Sequence, residues 1–317
     1  MPDHQYIQPP SDYKAQHDGS EHLAINNTWF RRFWTLLAVH TTGKFYYYYS
    51  RHKDNGNGPC IIQISKSRIV KTGRRIHLTE GATMKYVADN TTGIPVPKVY
   101  CSFLHRKQAY IVMERIQGGE ELPRAWGAMS QEARDAVLLQ LRRMISELRG
   151  LAASPPGVAT GVQSCVGGSL YDARLSGRGN PRWGPFKTIQ DFHVWLRRDY
   201  SPEDLRRDRR GTHLKDQDAS DIEDMISRQD RDGQWASPVF THCDLNPSNI
   251  LVRDGKVVGI IDWEFSGWYP PYWEYTSAWF GNIIRPWWQA QLDHFLDRPC
   301  AEDFKMEQVR NTWWGEW

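Results

Sequence analysis

The stretch THCDLNPSNILVRDGKVVGIIDWE, residues 241–264, decides how the rest of the chain is interpreted. It places His242, Asp244 and Asn249 in the order His-x-Asp-x-x-x-x-Asn, and two short apolar runs follow, separated by a polar turn. Such runs around an Asp-Gly turn predict a tight β-hairpin. Asp262 ends the second run, so folding the hairpin brings it near Asn249 and Asp244. The sequence therefore predicts one site that gathers three oxygen-bearing side chains.

This spacing is that of a kinase catalytic loop, in which the Asp accepts a hydroxyl proton and the Asn holds Mg²⁺. Asp244 is our candidate catalytic base, because a positioned carboxylate can orient a hydroxyl and take its proton. Asn249 and Asp262 are candidate metal ligands, because Mg²⁺ keeps few protein ligands and completes its shell with phosphate and water. Structural alternatives stay open: Asp244 capping a turn beside Pro247, Asn249 as a turn residue and Asp262 as a strand-end cap.

Several stretches, in order, resemble the aminoglycoside phosphotransferase and choline kinase-like family, and its fungal members in particular. HCDLNPSNILV and IIDWE are the most specific. The weaker matches are RIVKTG (68–73), LTEGATM (78–84), GIPVPKVY (93–100), YIVMERIQGGEEL (110–122) and WEFSGWYPPYWEYTSAWF (263–280). The likeness covers roughly residues 46–280. It implies a protein kinase-like fold and transfer of the ATP γ-phosphate to a small molecule.

The implied fold class is α+β and two-lobed, with a small, mainly antiparallel β lobe and a larger, mainly helical lobe. Residues 1–114 are expected to form an N-terminal extension and the nucleotide-binding lobe. Residues 115–317 are expected to form the helical lobe with the catalytic loop, metal site and acceptor pocket. Local patterns predict helices at 26–40, from 79 to before 93, and at 130–151, and strands at 46–49, 60–64, 68–71, 98–103 and 109–113.

Two stretches of the larger lobe are less regular. Residues 154–185 are rich in Gly, Pro and Ser, which predicts an extended surface segment. Residues 197–234 are dense in charge of both signs and are expected to contain helix. The acidic residues of this second stretch either attract a cationic acceptor or form a solvated face; they are Asp216, Asp218, Asp221, Glu223 and Asp224.

The nucleotide-binding candidates rest mainly on the resemblance. Lys71 ends an apolar strand and Glu80 opens the next helix, where the helix dipole favours an acid. The resemblance makes them the Lys–Glu pair that orders a kinase cleft and meets the phosphates; a lysine kept for solubility is the alternative. It also places Met113 behind the adenine, with the carbonyl of Glu114 and the N–H of Ile116 on the adenine edge.

Other residues near the decisive stretch have less certain roles. His242 is expected to be structural and to pin the catalytic loop, as it does in kinases. Cys243 is expected to be a buried inert thiol. Glu264 is either an additional oxygen near the metal or a solvated or salt-bridged acid. Kinases cover the phosphates with G-x-G-x-x-G, but RHKDNGNGP at 51–59 has only two glycines and is either a phosphate loop or a plain turn.

The composition limits the classes of partner that we expect. The net charge of +3 is small for 317 residues and gives no argument for nucleic acid or an anionic membrane. The first twenty residues are polar, and no apolar run reaches the ~18 residues of a membrane span. The five cysteines are scattered, as in reduced cytosolic proteins. We therefore expect a cytoplasmic protein with ATP and Mg²⁺ as cofactors, a hydroxylated small-molecule partner, no nucleic acid and no membrane.

Two rival functions remain at this point. A protein kinase would carry a long activation segment ending in Ala-Pro-Glu, whereas this chain has the aromatic WEFSGWYPPYWEY after its metal Asp. A catalytically inactive scaffold would typically lack the Lys, the base or a metal ligand, and this chain retains all three. The abundant tryptophans either pack in cores or cage a cationic substrate through cation–π contacts.

Overall fold

In the computed structural model, the described residues are 15–315 apart from 18, 51–59, 74, 153–160, 176–181, 211–213, 232 and 234, and the side chains of 15, 43–50, 60 and 210 are also left aside. The strands are β1 (Cys60–Ser65), β2 (Arg68–Gly73), β3 (Val99–His105), β4 (Gln108–Glu114), β5 (Glu120–Glu121), β6 (Val239–Thr241), β7 (Ile250–Arg253), β8 (Lys256–Ile260) and β9 (Gly267–Tyr269). The helices are α1 (Trp29–Ser50), α2 (Leu78–Asn90), α3 (Leu122–Trp126), α4 (Gln131–Arg149), α5 (Ile189–Leu196), α6 (Pro202–Arg210), α7 (Asp216–Gln229), α8 (Trp273–Phe280), α9 (Pro286–Gln289), α10 (Leu292–Phe295) and α11 (Ala301–Trp314).

A four-stranded antiparallel sheet in the order β1-β2-β4-β3 forms the small lobe. Successive side chains of a strand point to opposite faces. Val70 and Val112 accordingly pack in a cluster with Leu36 of α1, whereas Ile111 belongs to the core that includes α2. Lys71 follows Val70 and therefore lies on the α2 side of the sheet, where the charged site is built.

The start of α2 fixes the second charged residue of that site. His77 is the N-cap, and its Nδ1 accepts the backbone N–H of Thr79 at 3.2 Å. Its Nε2 donates to the carbonyl of Gln16 at 3.1 Å. Burial, reinforced by the neighbouring Arg182, lowers the pKa of His77 well below its usual value, so the ring stays neutral and can accept. This cap leaves Glu80 in the first turn of α2, buried against the sheet.

Two hydrophobic cores support the larger lobe. One core contains Met113 of β4, Leu141 of α4 and residues of the short strands that follow α4 in the chain. Both lobes therefore share this core. The other is formed around α5, α7, α8 and α11, with Phe192 and Trp273 among its buried rings. Because one core is continuous between the lobes, the division at residues 114 and 115 stays a prediction.

Two local predictions are wrong. The aromatic run 46–49, expected as a strand, lies inside α1, because strand propensity is weak when a helix already in progress meets no stop signal. The segment 154–185 was expected on the surface, yet among its described residues Leu170, Trp183 and Val162 are buried in the second core. Trp183 alone packs against four rings, so the described part of this segment contributes to the interior.

Other expectations are confirmed within the described residues. The predicted hairpin strands and the helices near 26, 79 and 130 are present, with α1 beginning at Trp29. Most of the late tryptophans pack in cores, as for Trp263, Trp268, Trp273 and Trp288. The four cysteines with described side chains are free thiols. No helix in these ranges is both long and apolar enough to cross a bilayer.

Candidate active site

The predicted hairpin is formed by β7 and β8, which pair antiparallel from Ile250↔Ile260 to Arg253↔Lys256. Residues 247–249 form a single 3₁₀ turn before β7, capped by the side chain of Asn246. At the open end the carbonyl of Asn249 accepts the N–H of Ile261 at 2.9 Å. This bond places Asn249 beside the residue that precedes Asp262, as the sequence pattern predicts.

Asp244 and Asn249 are in direct contact. The Nδ2 of Asn249 donates to the Asp244 carboxylate at 2.7 Å and to the Asp244 carbonyl at 3.0 Å. Since the amide nitrogen is engaged in this way, the amide oxygen is directed elsewhere and is available as a ligand. Burial raises the pKa of Asp244 to about 6, although the nearby Arg174 guanidinium opposes the rise. A carboxyl with this pKa can still accept a proton at neutral pH.

His242, which the sequence predicts to be structural, is hydrogen-bonded through both ring nitrogens. It is fully buried, its Nδ1 accepts the N–H of Asp244 at 3.2 Å, and its Nε2 donates to the carbonyl of Ile261 at 3.1 Å. Burial lowers the pKa of His242 to about 4, consistent with a neutral ring that both donates and accepts. The ring therefore ties the catalytic loop to the strand end that carries Asp262.

A second support for the loop comes from α8. The buried carboxylate of Glu274 accepts the N–H of His242 at 2.7 Å and that of Cys243 at 3.0 Å. Cys243 has φ of 69°, a left-handed conformation that a cysteine adopts only when its surroundings impose it. Burial raises the pKa of Glu274 to about 7. Cys243 is itself buried, and burial raises the pKa of its thiol well above the usual value, as expected for an inert thiol.

Lys71 lies at the centre of a cluster of carboxylates. Its Nζ is 2.9 Å from Glu80 Oε1, 2.5 Å from Asp262 Oδ1 and 3.2 Å from Glu264 Oε2. Burial alone would lower the pKa of Lys71, but the three carboxylates outweigh it and raise that pKa well above its usual value. Burial raises the pKa of Glu264 to about 8. The structure thus brings Lys71, Glu80 and Asp262 together, and Glu264 joins them as a salt-bridged acid, one of the alternatives left open for it.

On the other side of Asp244 lies Arg174. Its guanidinium donates to both oxygens of the buried Asp172 at 2.8 and 2.6 Å, and to the carbonyl of Cys243 at 2.7 Å. Its Nη1 is 4.0 Å from Asp244 Oδ1. The guanidinium also lies over the ring of Phe265, 5.1 Å from the centroid. Arg174 therefore braces the catalytic loop from a segment distant in sequence.

The donor set fits a divalent cation that prefers oxygen. Among the described residues, no group of three or more His, Cys, Asp or Glu side chains is arranged to hold a metal by itself. An amide oxygen and a partly exposed carboxylate, Asn249 and Asp262, are instead the few hard ligands that suit Mg²⁺. The buried Glu80 Oε2 has no hydrogen-bond partner. This orphaned oxygen, in a cluster with more carboxylates than cations, is consistent with added positive charge there.

The adenine-edge candidates lie where β4 leaves the sheet. Met113 is buried in the shared core, between Ile69 and Val99 on the neighbouring strands. The N–H of Glu114 donates to the carbonyl of Lys98 at 2.9 Å. Ile116 contacts Gly259 of β8 so closely that a Cβ at that glycine would collide with its Cδ1. The predicted phosphate loop at 51–59 lies outside the described residues.

Sequence reasoning missed three residues of this site. Asp172 and Arg174 lie in the stretch expected at the surface, and no local pattern announces a contact with a loop 69 residues later. Glu274 offered a weak signal, as a single acid inside the aromatic run that becomes α8. A buried acid in such a run has to find hydrogen-bond donors.

With this geometry in place, comparisons with known proteins become informative. The model of the phosphotransferase enzyme family, APH, matches residues 52–310. The chain belongs to this phosphotransferase family. A search of curated proteins gives no significant match.

Solved structures of aminoglycoside phosphotransferases share the architecture. The gentamicin complex of APH(2″)-IIa has a TM-score of 0.50 at 12% identity, covering 81% of this chain and 79% of that one. APH(4)-Ia with AMP-PNP and hygromycin B has 0.51 at 15%, covering 80% and 79%. The GDP complex of aminoglycoside 2′-phosphotransferase-IIIa has 0.51 at 11%, covering 80% and 79%. At these identities the likeness shows the fold, and it confirms the two-lobed, kinase-like α+β prediction.

Proposed function

We propose that the protein is an ATP- and Mg²⁺-dependent phosphotransferase that moves the γ-phosphate to a hydroxyl of a small molecule, with Asp244 as catalytic base. One observation carries the proposal. Asp244 is held by Asn249 just before the first strand of the β7–β8 hairpin, and Asp262, just after its second strand, is bonded to Lys71 of the small sheet. The parts of a phosphoryl-transfer site thereby converge from three separate segments.

Each residue has a defined task in this proposal. Lys71, kept charged by Glu80, binds the nucleotide phosphates. Asn249 and Asp262 hold Mg²⁺, which when bound neutralises phosphate charge. Asp244 orients the acceptor hydroxyl and takes its proton as the bond to phosphorus forms.

The nucleotide base is assigned to the strand end after β4. Met113 packs behind the adenine, and the carbonyl of Glu114 and the N–H of Ile116 meet its edge. We accordingly assign nucleotide binding to residues 1–114 and the acceptor pocket to 115–317. The free thiols of the described cysteines suit a reducing compartment, and we place the protein in the cytoplasm.

The segment after Asp262 supports a small acceptor rather than a peptide. Residues 263–265 form a 3₁₀ turn, β9 pairs with β6, and α8 begins at Trp273, with nearly every side chain in between buried. No exposed segment is left there to bind an extended peptide in the manner of a protein kinase. The neighbours solved with gentamicin and hygromycin B agree with a hydroxylated small molecule as acceptor.

A metabolite-extract screen with γ-labelled ATP tests this proposal. We expect the wild-type protein to label at least one hydroxylated compound when Mg²⁺ is present, and the Asp244→Asn variant to label it far more slowly. Equal labelling by both proteins would remove Asp244 from its assigned role. Absence of any thermal stabilisation by ATP with Mg²⁺ would favour the inactive scaffold, because a ligand that binds the folded state must stabilise it.

A further inference from the structure

The outer face of α1 is apolar although it faces solvent. Five of the large exposed hydrophobic side chains in the described ranges lie on this one stretch of helix: Trp29, Phe30, Phe33, Trp34 and Leu37. Their positions repeat at helical spacing, so they form one stripe. Trp29 is 77% exposed and Phe30 is 62% exposed. We call these five residues the α1 stripe.

The stripe is pre-organised and cannot turn inward. Its rings already contact one another, with centroids 5.8 Å apart for Trp29 and Phe33 and 5.9 Å apart for Phe30 and Trp34. The opposite face of α1 is in use, since Leu36 packs in the core beneath the sheet. A helix that is apolar on both faces needs a partner for the second face, because a contiguous exposed patch of this kind marks an interaction site.

Arginines fix α1 on the sheet in this orientation. Arg31 donates to the carbonyl of Tyr100 at 3.1 Å, and Arg32 donates to the carbonyl of Leu104 at 2.9 Å. Arg32 also lies over the ring of Phe103, 5.3 Å from the centroid. The helix is therefore held by β3, and the stripe is the part of it that projects.

Basic residues outnumber acids around the stripe, although Glu114 accepts the backbone N–H of Lys98 and is paired across the strands with Arg68. The sequence has no Asp or Glu from His22 to Lys53, and β1 to β4 have none before Glu114. Tyr100 gathers three cations: Arg31 through its carbonyl, and Arg68 and Lys98 over its ring at 4.4 and 5.9 Å. The β3–β4 turn adds exposed Arg106 and Lys107. The net charge of the whole chain is only +3 because acids such as those of α7, in the other lobe, offset the positive charge of this face.

We propose that the α1 stripe docks this protein onto an anionic phospholipid surface. An aromatic and aliphatic face on a helix that has no carboxylates and lies beside a cationic rim is what lies in the headgroup layer of such a membrane. Trp in particular prefers that layer. Nucleic acid fits less well, because phosphate contacts need cations on the contacting face itself. A second copy would set two basic rims against each other. This inference does not depend on the proposed phosphotransferase activity.

Vesicle co-sedimentation tests the proposal with the full chain. We expect wild-type protein to bind vesicles of phosphatidylcholine mixed with phosphatidylserine, and to bind pure phosphatidylcholine vesicles at least about tenfold more weakly. Added salt should weaken the first interaction. Equal binding to both compositions, or no binding to either, would overturn the proposal. These wild-type measurements do not depend on the folding of any variant.

Matched variants locate the contact. Phe30→Ser with Trp34→Ser should lower binding at least about tenfold with an unchanged melting temperature, because both side chains are exposed. Phe30→Leu with Trp34→Phe keeps the apolar area and should retain binding. Ile283→Ser with Ile284→Ser removes exposed apolar groups of the other lobe and should have no effect. Equal loss in this control pair would refute a specific role for α1.

Two further outcomes would point to other partners and against the lipid proposal. Light scattering should report a monomer under the binding conditions. A wild-type dimer that the serine variant abolishes, without vesicle binding, would make the stripe a self-association surface. Tight binding of a single-stranded oligonucleotide that the same variant abolishes, again without vesicle binding, would make it a nucleic-acid surface.

Discussion

Two charged clusters flank Asp244, and they are built in opposite ways. The cleft cluster consists of Lys71 and the three carboxyl groups around it, those of Glu80, Asp262 and Glu264. One oxygen of Glu80 is buried without a hydrogen-bond partner. In the loop cluster, Arg174 divides its donors between Asp172 and the carbonyl of Cys243. The first cluster holds three carboxyl groups around Lys71, and the pKa of Glu264 is raised to about 8, so they do not all ionise at neutral pH. The second pairs a bidentate carboxylate with a guanidinium and is complete in itself.

This difference separates a binding site from a brace. Ionising all three carboxyls of this buried cluster would cost stability, and the raised pKa of Glu264, about 8, reflects that cost. A divalent cation bound at Asp262 would offset that cost. The loop cluster needs no ligand, so we infer that it positions Asp244. Substitutions in the first cluster should therefore weaken nucleotide binding, and substitutions in the second should slow the reaction without weakening that binding. Substitution of Asp244, which lies between the clusters, should remove the proton acceptor.

The largest effect is expected from Asp244→Asn. It removes the proton acceptor but keeps the hydrogen-bonding shape, so turnover should fall by roughly 10²–10⁴ while ATP binding survives. Steady-state kinetics and a thermal-shift titration measure the two quantities. Asp254→Asn is the matched control, because this acid is exposed at the far turn of the same hairpin. An Asp244→Asn protein as active as this control would refute the assignment.

Lys71→Met tests the cleft cluster. It removes the one cation facing three carboxylates, so nucleotide affinity and kcat should both fall, kcat by about 10²–10³. Lys66→Met, on the exposed β1–β2 turn, serves as the control and should leave both constants unchanged. Calorimetric titration with ATP and Mg²⁺ provides the affinity. Undiminished affinity in Lys71→Met would mean that the cleft cluster does not bind the phosphates.

Glu274 tests the support of the catalytic loop through pH. Its folded-state pKa of about 7 is above the ordinary value of 4.5, so the unfolded chain ionises first as pH rises. Its contribution to stability is therefore complete below pH ~4.5 and is lost as pH rises through ~7, on the order of 3 kcal/mol. The free energy of unfolding of Glu274→Gln should lack this component. Parallel pH profiles for the variant and the wild type would contradict the raised pKa of the buried Glu274 carboxyl.

The smallest effect is expected from the loop cluster. Arg174→Met removes charge-assisted hydrogen bonds to the loop, so kcat should fall about 10- to 100-fold while the KM for ATP stays unchanged. Arg174→Lys keeps the charge but not the bidentate geometry and should recover only part of the rate. Initial-rate kinetics at varied ATP separates kcat from KM. Loss of ATP affinity comparable with that of Lys71→Met would mean that the two clusters are not functionally distinct.

The cleft cluster could be predicted from the sequence, whereas the loop cluster of Asp172 and Arg174 could not. The hairpin follows from two apolar runs and a turn, and Lys71 and Glu80 are only nine positions apart, across a strand end and a helix start. Asp172 and Arg174 meet the loop through tertiary packing of a segment whose composition resembles a surface loop. The strand expected at 46–49 failed for a related reason, because a continuing helix overrode the local preference of its aromatic residues.

The central claim is that Asn249 and Asp262 hold a divalent cation at the nucleotide phosphates, and Mn²⁺ tests it most directly. Electron paramagnetic resonance can follow free Mn²⁺ as protein is added in the presence of a non-hydrolysable ATP analogue. We predict that wild type and Asp244→Asn withdraw Mn²⁺ from solution and that Asp262→Ala does not. Binding of Mn²⁺ with the nucleotide to Asp262→Ala as tightly as to wild type would contradict the account.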